Sequence, residues 1–343
     1  MTLFPLAALP LALFAAWAVM PLVVRLAWAT GYLDHPEARK LHTSATALLG
    51  GAAVFAVALV VWAVAMRAMP HSPEDWEGYY LVAGGLLALG LGMWDDRFGM
   101  LPSIKMLGQA AAATLIVAAG AMVHLGLPIG IEAAITLVAL VALMNAVNFL
   151  DNMNGMVGGL APIALLGFAW TSLERGANGV AAAQLALAGA CLGFLPHNFP
   201  KARIFLGDAG SLLLGYSLGA SALLAMKGAP PGWGQAGPVI VLAYPAFDLI
   251  FVVVTRLRDG RPVYLGGKDH TNHRLASVLK CPIRTVLVIW LSGAVLCAGG
   301  IVTLRLNSPI PTLLLSVPLT ILLCWSGLRL SSVPIARPAP PPR

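Results

Sequence analysis

Paired acidic residues beside long apolar runs are the first feature of this 343-residue chain that could do chemistry. Adjacent Asp95 and Asp96 end one apolar run, and Lys105 opens the next. Two neighbouring carboxylates are costly there, because like charges repel and burial disfavours both ionised forms. A bound cation would relieve that cost, so the pair predicts a cation site. An Asp pair alone is also typical of simple helix caps.

A second polar segment, Asn145 to Leu160, places amide and acidic side chains on one helix face. Asn148 and Asp151 follow Asn145 at intervals of three residues, which puts all three on the same side of a helix. Oxygen-rich clusters of this kind suit Mg²⁺. The alternative is polar contact between helices, with the following glycines permitting close packing.

A third segment carries Asp208 in a Gly-Asp-Ala-Gly-Ser turn just ahead of an apolar helix. Such a turn brings exposed backbone N–H groups and a carboxylate together, which predicts a site for a metal-bound phosphate. An N-cap on the next helix is the alternative interpretation. Phe205, three residues earlier, is a candidate for stacking on a base or for simple packing.

Basic and histidine side chains fall in two further polar connectors, one near residue 40 and one after Asp248. Both can bind phosphate or sugar hydroxyls, and both can equally anchor the protein to a membrane surface. No third soft ligand accompanies the histidine pair of the second connector, which argues against zinc. The candidates in these connectors are Lys40, His42, Arg261, His270, His273 and Arg274.

The elements that position these residues are predicted to be membrane-spanning helices. The chain is 59% hydrophobic and only 10% charged, which is typical of integral membrane proteins. Apolar runs long enough to span a bilayer as helices recur along it, without the short alternation of a barrel. We therefore predict an all-α polytopic protein. Its eleven candidate spans are roughly 3–27, 46–66, 79–93, 107–123, 129–145, 158–173, 180–195, 212–226, 236–255, 285–304 and 311–328.

The distribution of basic residues predicts the orientation of these spans. An N-terminus outside leaves only Arg67, Arg175, Lys227 and Arg305, of 21 basic residues, on the outer side. Basic residues are retained in cytoplasmic connectors, so the C-terminus and all the polar segments above are predicted to be cytoplasmic. We predict one transmembrane domain, residues 1–331, followed by a proline-rich disordered tail, residues 332–343.

Taken in order, the polar segments between residues 34 and 275 resemble the polyprenyl-phosphate N-acetylhexosamine-1-phosphate transferases. This is glycosyltransferase family 4, which includes the WecA-type and MraY-type enzymes. The resemblance rests on the patterns DD…K…Q, NxxNxxDNxNG, FLGDxGS and DHxxHR, each at the predicted cytoplasmic end of a helix. It implies an enzyme of the inner (plasma) membrane that moves a sugar 1-phosphate from a UDP-N-acetylhexosamine to polyprenyl phosphate and releases UMP.

The resemblance also implies roles for individual residues. Mg²⁺, or Mn²⁺ in its place, would be held by Asn148 and Asp208. The catalytic residues would be Asp95, Asp96, Lys105, Asp151 and Asp208. The substrate-binding residues would be Lys40, His42, Asn145, Asn154, Phe205, Arg261, His270, His273 and Arg274.

The implied product is the first lipid-linked intermediate of a cell-envelope polysaccharide, such as lipopolysaccharide O-antigen or teichoic acid. The implied partners are the UDP-sugar, the lipid phosphate, the membrane and a second copy in a homodimer, with no nucleic acid. Two departures stand out: many bacterial members read D-G-x-D-G where this chain has Asn152 and Asn154. The change at Asn152 affects the expected backbone geometry of this turn, and the change at Asn154 affects the expected contact with the nucleotide.

Two other functions compete with this interpretation. A phospho-MurNAc-pentapeptide transferase is the nearest one, but DHTNHR, from Asp269 to Arg274, lacks the consecutive histidines typical of the MraY branch. A transporter or flippase would also have many spans. Transporters, however, place ionisable groups near the bilayer midplane between repeated halves, whereas the acidic residues here lie at span ends without a repeat.

Overall fold

Helices dominate the structure, a computed structural model that describes residues 4–35, 44–69, 75–263 and 267–334. The all-α prediction is confirmed, and each predicted span overlaps a helix, with 236–255 divided between two. The helices are α1 (Phe4–Thr30), α2 (Gly50–Ala68), α3 (Asp75–Phe98), α4 (Pro102–Ala118), α5 (Ile129–Leu150), α6 (Met156–Glu174), α7 (Asn178–Asn198), α8 (Gly207–Lys227), α9 (Ala236–Val241), α10 (Ala243–Arg258), α11 (Thr271–Leu279), α12 (Pro282–Leu306) and α13 (Pro309–Ser331), with a 3₁₀ turn at Trp233–Gln235.

Eight of the described helices are long and apolar enough to cross a membrane, and a bent pair makes a ninth. The remaining two predicted spans correspond to α3, which carries acidic residues at both ends, and to α4, which has only 17 residues. Multiple membrane crossings are therefore confirmed, while the count of eleven and the N-terminus-outside orientation stay predictions.

The bent pair is formed by the 3₁₀ turn with α9 and by α10, which meet at 71°. Pro245 lies in the first turn of α10, where it has no N–H to donate to the carbonyl of Val241 four residues earlier. The helix therefore breaks after Val241 and restarts in a new direction. That direction brings α10 against α5 and α11.

The centre of the bundle is α8, which is buried along nearly its whole length between α3 and α5. Gly92 of α3 permits close packing, because a Cβ there would collide with the backbone of Ala209 at the start of α8. At the periphery, α13 buries only Thr312 among its residues. The acidic end of α3 is thus packed directly against the beginning of α8.

A two-stranded antiparallel ribbon stands beside the helices, with β1 (Leu33–Asp34) paired to β2 (Thr46–Ala47). The backbone N–H of Phe205 donates to the carbonyl of Ala47 at 2.8 Å, which ties the ribbon to the segment ahead of α8. Lys40 and His42, the predicted phosphate-binding residues of this connector, lie outside the described residues. So does most of the predicted tail, residues 335–343.

Candidate active site

The side chain of Lys105 lies at the centre of the polar cluster. Its Nζ is 2.8 Å from Oδ2 of Asp95 and 2.5 Å from Oδ2 of Asp208, and it donates to Oδ1 of Asn148 at 3.2 Å. These partners come from α3, α8 and α5, and Lys105 itself comes from the first turns of α4. One ammonium group therefore joins the ends of four helices.

The polar face of α5 lies against this cluster as its spacing predicted. Nδ2 of Asn148 donates to Oδ1 of Asp208 and to Oγ of Ser211, both at 2.8 Å. One turn earlier, Asn145 and Gln109 exchange hydrogen bonds through their carboxamides at 2.8 and 3.3 Å. The two asparagines thus fix α5 to α8 and to α4.

Asp96 makes different contacts from its neighbour Asp95. Its carboxylate accepts hydrogen bonds from the backbone N–H groups of Asp208 at 2.8 Å and Ala209 at 3.0 Å. It therefore caps the start of α8 from another helix, where a negative charge is favoured by the helix dipole. Gly207 makes this possible, since its φ is +73° and a side chain there would crowd the Asp96 carboxylate. The N-cap interpretation of Asp208 is thus replaced by capping from Asp96.

Asp151 follows the last residue of α5 and faces the same cluster. Among the described residues, its carboxylate has no hydrogen-bond partner. Burial, reinforced by the negative charges of Asp208 and Asp96, raises the pKa of Asp151 to about 7. A cation placed beside this carboxylate would be stabilised strongly.

The donor atoms present fit a hard divalent cation. Asp151 and Asp208 offer carboxylate oxygens and Asn148 a carboxamide oxygen, which are the ligand types of Mg²⁺. The described residues contain no group of three His, Cys, Asp or Glu side chains arranged for a metal.

The cluster opens into a large cleft of about 1700 Å³. Its polar part is lined by every acidic and amide residue predicted for the site. Its apolar part is a wall from α4, α5 and α10. The wall consists of Met106, Ala110, Leu137, Val138, Val141, Ala142, Leu249 and Val253. The same cavity therefore joins a charged end to a long apolar surface.

The segment after α10 is held by a buried carboxylate, Asp248, which is 0% exposed. Asp248 accepts from the backbone N–H of Thr271 at 2.8 Å and from its hydroxyl at 2.6 Å, and its other oxygen lies 2.7 Å from Nδ1 of His270. His270 is itself buried and does not line the cleft. It belongs to the anchor of α11, so its predicted contact with substrate has no support from this geometry.

His273, one turn later, does line the cleft. Burial and the neighbouring His270 lower the pKa of His273 to about 4, so its imidazole is neutral at pH 7. It can therefore offer a hydrogen bond to a sugar or phosphate oxygen without carrying charge. Of the predicted pair His270 and His273, it is His273 that is placed to meet a ligand in the cleft.

The predicted cation Arg261 is paired within the protein. It donates to Oδ2 of Asp269 at 2.9 Å, and Arg256 binds the same carboxylate through two bonds of 2.7 and 2.9 Å. Burial opposes the ionisation of Asp269, but the hydrogen bonds and charge of Arg256 outweigh it and lower the pKa to about 2. The loop before α11 is thus fastened by an ionised carboxylate, and Arg261 does not line the cleft.

Arg274 is also turned away from the cleft. Its Nη1 donates to the carbonyls of Leu330, Ser331 and Val333 at 2.9 to 3.1 Å, and its Nε donates to the carbonyl of Asp269 at 3.2 Å. The three carbonyls bound by Nη1 lie at the end of α13, where carbonyls lack partners within the helix. Arg274 therefore fastens α11 to the last helix, which corrects its predicted place in the substrate site.

We expect Arg274→Ala to destabilise the protein rather than to weaken substrate binding directly. Loss of these bonds leaves partly buried carbonyls without a protein partner, at a cost of roughly 1 kcal/mol. Thermal unfolding in detergent would show a lower midpoint, and Arg284→Ala, at an exposed position of α12, is the control. An unchanged midpoint with a raised KM for the donor would instead make Arg274 a substrate ligand.

The structure thus brings together most of the predicted residues. Asp95, Lys105, Asn148 and Asp208 are in direct contact, and Asp96, Asn145, Asp151, Asn154, Phe205 and His273 line the same cleft. Sequence reasoning gave no role to Ser211, Asp248 or Asn272. Asp248 could have been found, because a carboxylate inside an apolar helix is costly and marks a function. Ser211 and Asn272 carry no comparable signal.

Comparison with known proteins matches this chain to glycosyl transferases and to polyprenyl-phosphate N-acetylglucosamine phosphate transferases. The family model described as Glycosyl transferase family 4 matches residues 79–226. A Mycobacterium tuberculosis protein named decaprenyl-phosphate N-acetylglucosaminephosphotransferase is 33% identical over 328 residues, which cover 86% of this chain and 80% of the relative. Its Mycolicibacterium smegmatis namesake is 33% identical over 325 residues, covering 85% and 79%. A Salmonella typhi undecaprenyl-phosphate alpha-N-acetylglucosaminyl 1-phosphate transferase is 26% identical over 286 residues, covering 79% and 76%.

Proposed function

This chain belongs to glycosyl transferase family 4, and we propose that it transfers N-acetylglucosamine 1-phosphate from UDP-N-acetylglucosamine to a polyprenyl phosphate. The observation that carries the proposal is the cleft that joins the Lys105 cluster to an apolar wall. Such a cavity suits an acceptor with a charged head and a hydrocarbon tail. The names of the relatives support the lipid acceptor and the sugar.

The proposed reaction is a phosphoryl transfer. An oxygen of the lipid phosphate attacks the phosphorus that carries the sugar, a new P–O–P bond forms, and the bond from that phosphorus to the oxygen of UMP breaks. The lipid pyrophosphate sugar and UMP are the products, and no oxidant or further reactant is needed. Such reactions depend mainly on alignment of the two oxygens and on charge neutralisation.

The residues of the cluster supply both requirements. Lys105 is placed to attract the acceptor phosphate, and Asp95 beside it orients that ammonium. A phosphate monoester has a second pKa near about 6, so the acceptor is already largely dianionic at neutral pH and Asp95 need not remove a proton. Asp96 holds Asp208 in place through the start of α8. His273 would donate to the sugar phosphate from the other segment that lines the cleft.

Mg²⁺ is part of the proposal, with Mn²⁺ as a substitute. Asp208, Asn148 and Asp151 would hold it, as the donor types fit. When bound, the ion would neutralise the charge that develops on the pyrophosphate of the donor. Without a cation, Asp151 and Asp208 would repel the donor's own negative charge.

The test is an assay of the purified full chain in detergent with UDP-N-acetylglucosamine and undecaprenyl phosphate. We expect UMP release matched by a lipid product of the corresponding mass, loss of both in excess EDTA, and recovery with Mg²⁺. UDP-MurNAc-pentapeptide, supplied in parallel, is expected to give no product. Turnover of that donor instead would establish the peptidoglycan alternative, and turnover of neither would refute the proposed function.

We place the site at the cytoplasmic face of the inner (plasma) membrane. The ends of α3, α5 and α10 and the starts of α4 and α8 meet at the cleft. The distribution of basic residues predicts that all five are cytoplasmic. The orientation can be tested with the variants Arg203→Cys and Arg305→Cys and a membrane-impermeant thiol reagent added from outside. We expect the cysteine at position 305 to react and the one at position 203 not to. The opposite pattern would contradict the predicted orientation. The homodimer stays a prediction.

A further inference from the structure

Two asparagine side chains join the turn after α5 to the first turn of α11. Nδ2 of Asn272 donates to Oδ1 of Asn152 at 2.7 Å, although 120 residues separate them in the sequence. Asn152 lines the cleft, and Asn272 is 0% exposed. The bond therefore links the turn after α5 to the first turn of α11 within the wall of the cleft.

Each carboxamide also has a second, local partner. Nδ2 of Asn152 donates to the carbonyl of Phe149 at 2.7 Å, within the last turn of α5. Oδ1 of Asn272 accepts from the backbone N–H of His273 at 2.8 Å. The bonds form a continuous series from the end of α5 to the backbone of His273. A polar series in which each carboxamide has its hydrogen-bond partners holds its groups in one arrangement.

The two ends of this series are the parts of the site that must be spaced correctly. Asn152 directly follows Asp151, and Asn272 directly precedes His273; Asp151 and His273 both line the cleft. The bonds of Asp248 tie α11 to α10 and those of Arg274 tie it to α13, and none of them reaches the turn after α5. The asparagine pair therefore joins the turn that holds Asp151 to the turn that holds His273.

The departure at Asn152 fits the same picture. Asn152 does not have a left-handed backbone; among the described residues, the non-glycine positions that do are Lys280 and Asn307. Position 152 therefore does not require a glycine. The left-handed position of this turn is Gly155, with φ +75°. Asn152 is thus accommodated without strain, and its side chain is free to bridge.

We propose that Asn152 and Asn272 are a positioning pair that sets the spacing of Asp151 and His273 for the UDP-sugar donor. This inference rests on the proposed function and adds residues to it. Neither asparagine touches the reacting atoms; the pair acts through its neighbours. A displacement of about 1 Å in such a position can cost a large factor in rate.

Two isosteric variants separate the bridge from its surroundings. Asn272→Asp removes the donor and sets two oxygens against each other, while it keeps the oxygen that accepts from the backbone of His273. Asn178→Asp makes the same change at the start of α7, outside the cleft lining. We expect Asn272→Asp to raise the KM for UDP-N-acetylglucosamine about tenfold, with Asn178→Asp within about twofold of wild type. The KM for undecaprenyl phosphate should not change in either.

A cycle of Asn152→Ala, Asn272→Ala and the double variant supplies a second test. If the pair acts as a unit, the double variant should bind UDP-N-acetylglucosamine, in the absence of acceptor, no more weakly than either single variant, by titration calorimetry. Equal donor KM for the two aspartate variants, or additive losses in the cycle, would overturn the pair. Absence of turnover by the wild type would instead refute the proposed function. If the alanine variants unfold, the aspartate variants decide.

Discussion

The Asp208→Asn variant is expected to lose at least about 1000-fold in kcat while remaining folded. Asp208 contacts Lys105 through one oxygen and Asn148 through the other, and it is a proposed ligand of the divalent cation. The amide keeps the shape of the side chain but removes the negative charge. The charge is what both the ammonium and a cation require, so the loss should fall on catalysis.

The measurement is UMP release at saturating donor and acceptor, accompanied by a thermal unfolding curve. Glu174→Gln is the matched control, since it removes a carboxylate from an exposed pair with Arg305 at the far end of α6. Exposed ion pairs contribute little, about 0–1 kcal/mol, so the control should keep nearly full activity. Asp208→Asn within tenfold of wild type would be incompatible with the mechanism proposed above.

The Lys105→Met variant is expected to lose at least about 100-fold in kcat/KM, with the acceptor affected most. Methionine keeps much of the length of the side chain but removes the charge that lies between Asp95 and Asp208. The two carboxylates would then repel the phosphate of the lipid. Lys105→Arg should recover only part of the activity, because a planar guanidinium does not reproduce contacts made by a compact ammonium.

The KM for undecaprenyl phosphate and the KM for the donor are measured separately in this experiment. Lys280→Met is the control, since Lys280 is an exposed residue after α11 outside the cleft lining. A Lys105→Met enzyme whose acceptor KM matches wild type would show that another cation binds the lipid phosphate. An unchanged unfolding temperature would show that the loss of activity in Lys105→Met does not come from unfolding.

Much of the site could be predicted because its residues are marked locally. Asp95, Asn148 and Asp208 are polar residues at the ends of apolar helices, and each is costly there unless it has a partner or a function. Their convergence also followed from topology, since the ends concerned were all assigned to one side. The structure places them in contact through Lys105.

The separate tasks of neighbouring residues could not be predicted in the same way. Asp95 binds Lys105 while Asp96 caps α8, and His273 lines the cleft while His270 is buried against Asp248. Consecutive helical residues point roughly 100° apart, so each meets a different neighbour. Which neighbour that is depends on elements about a hundred residues away.

The helices, their apolar length and the collection of polar residues at one end of the bundle can all be predicted from the sequence. These features follow from the cost of exposing backbone groups and charges to lipid, which every segment meets independently. The contacts of Arg274 with the end of α13, of Asp248 with α11 and of Asn152 with Asn272 depend instead on how the helices pack. Those bonds join segments remote in the chain, and their geometry exists only once the helices have packed.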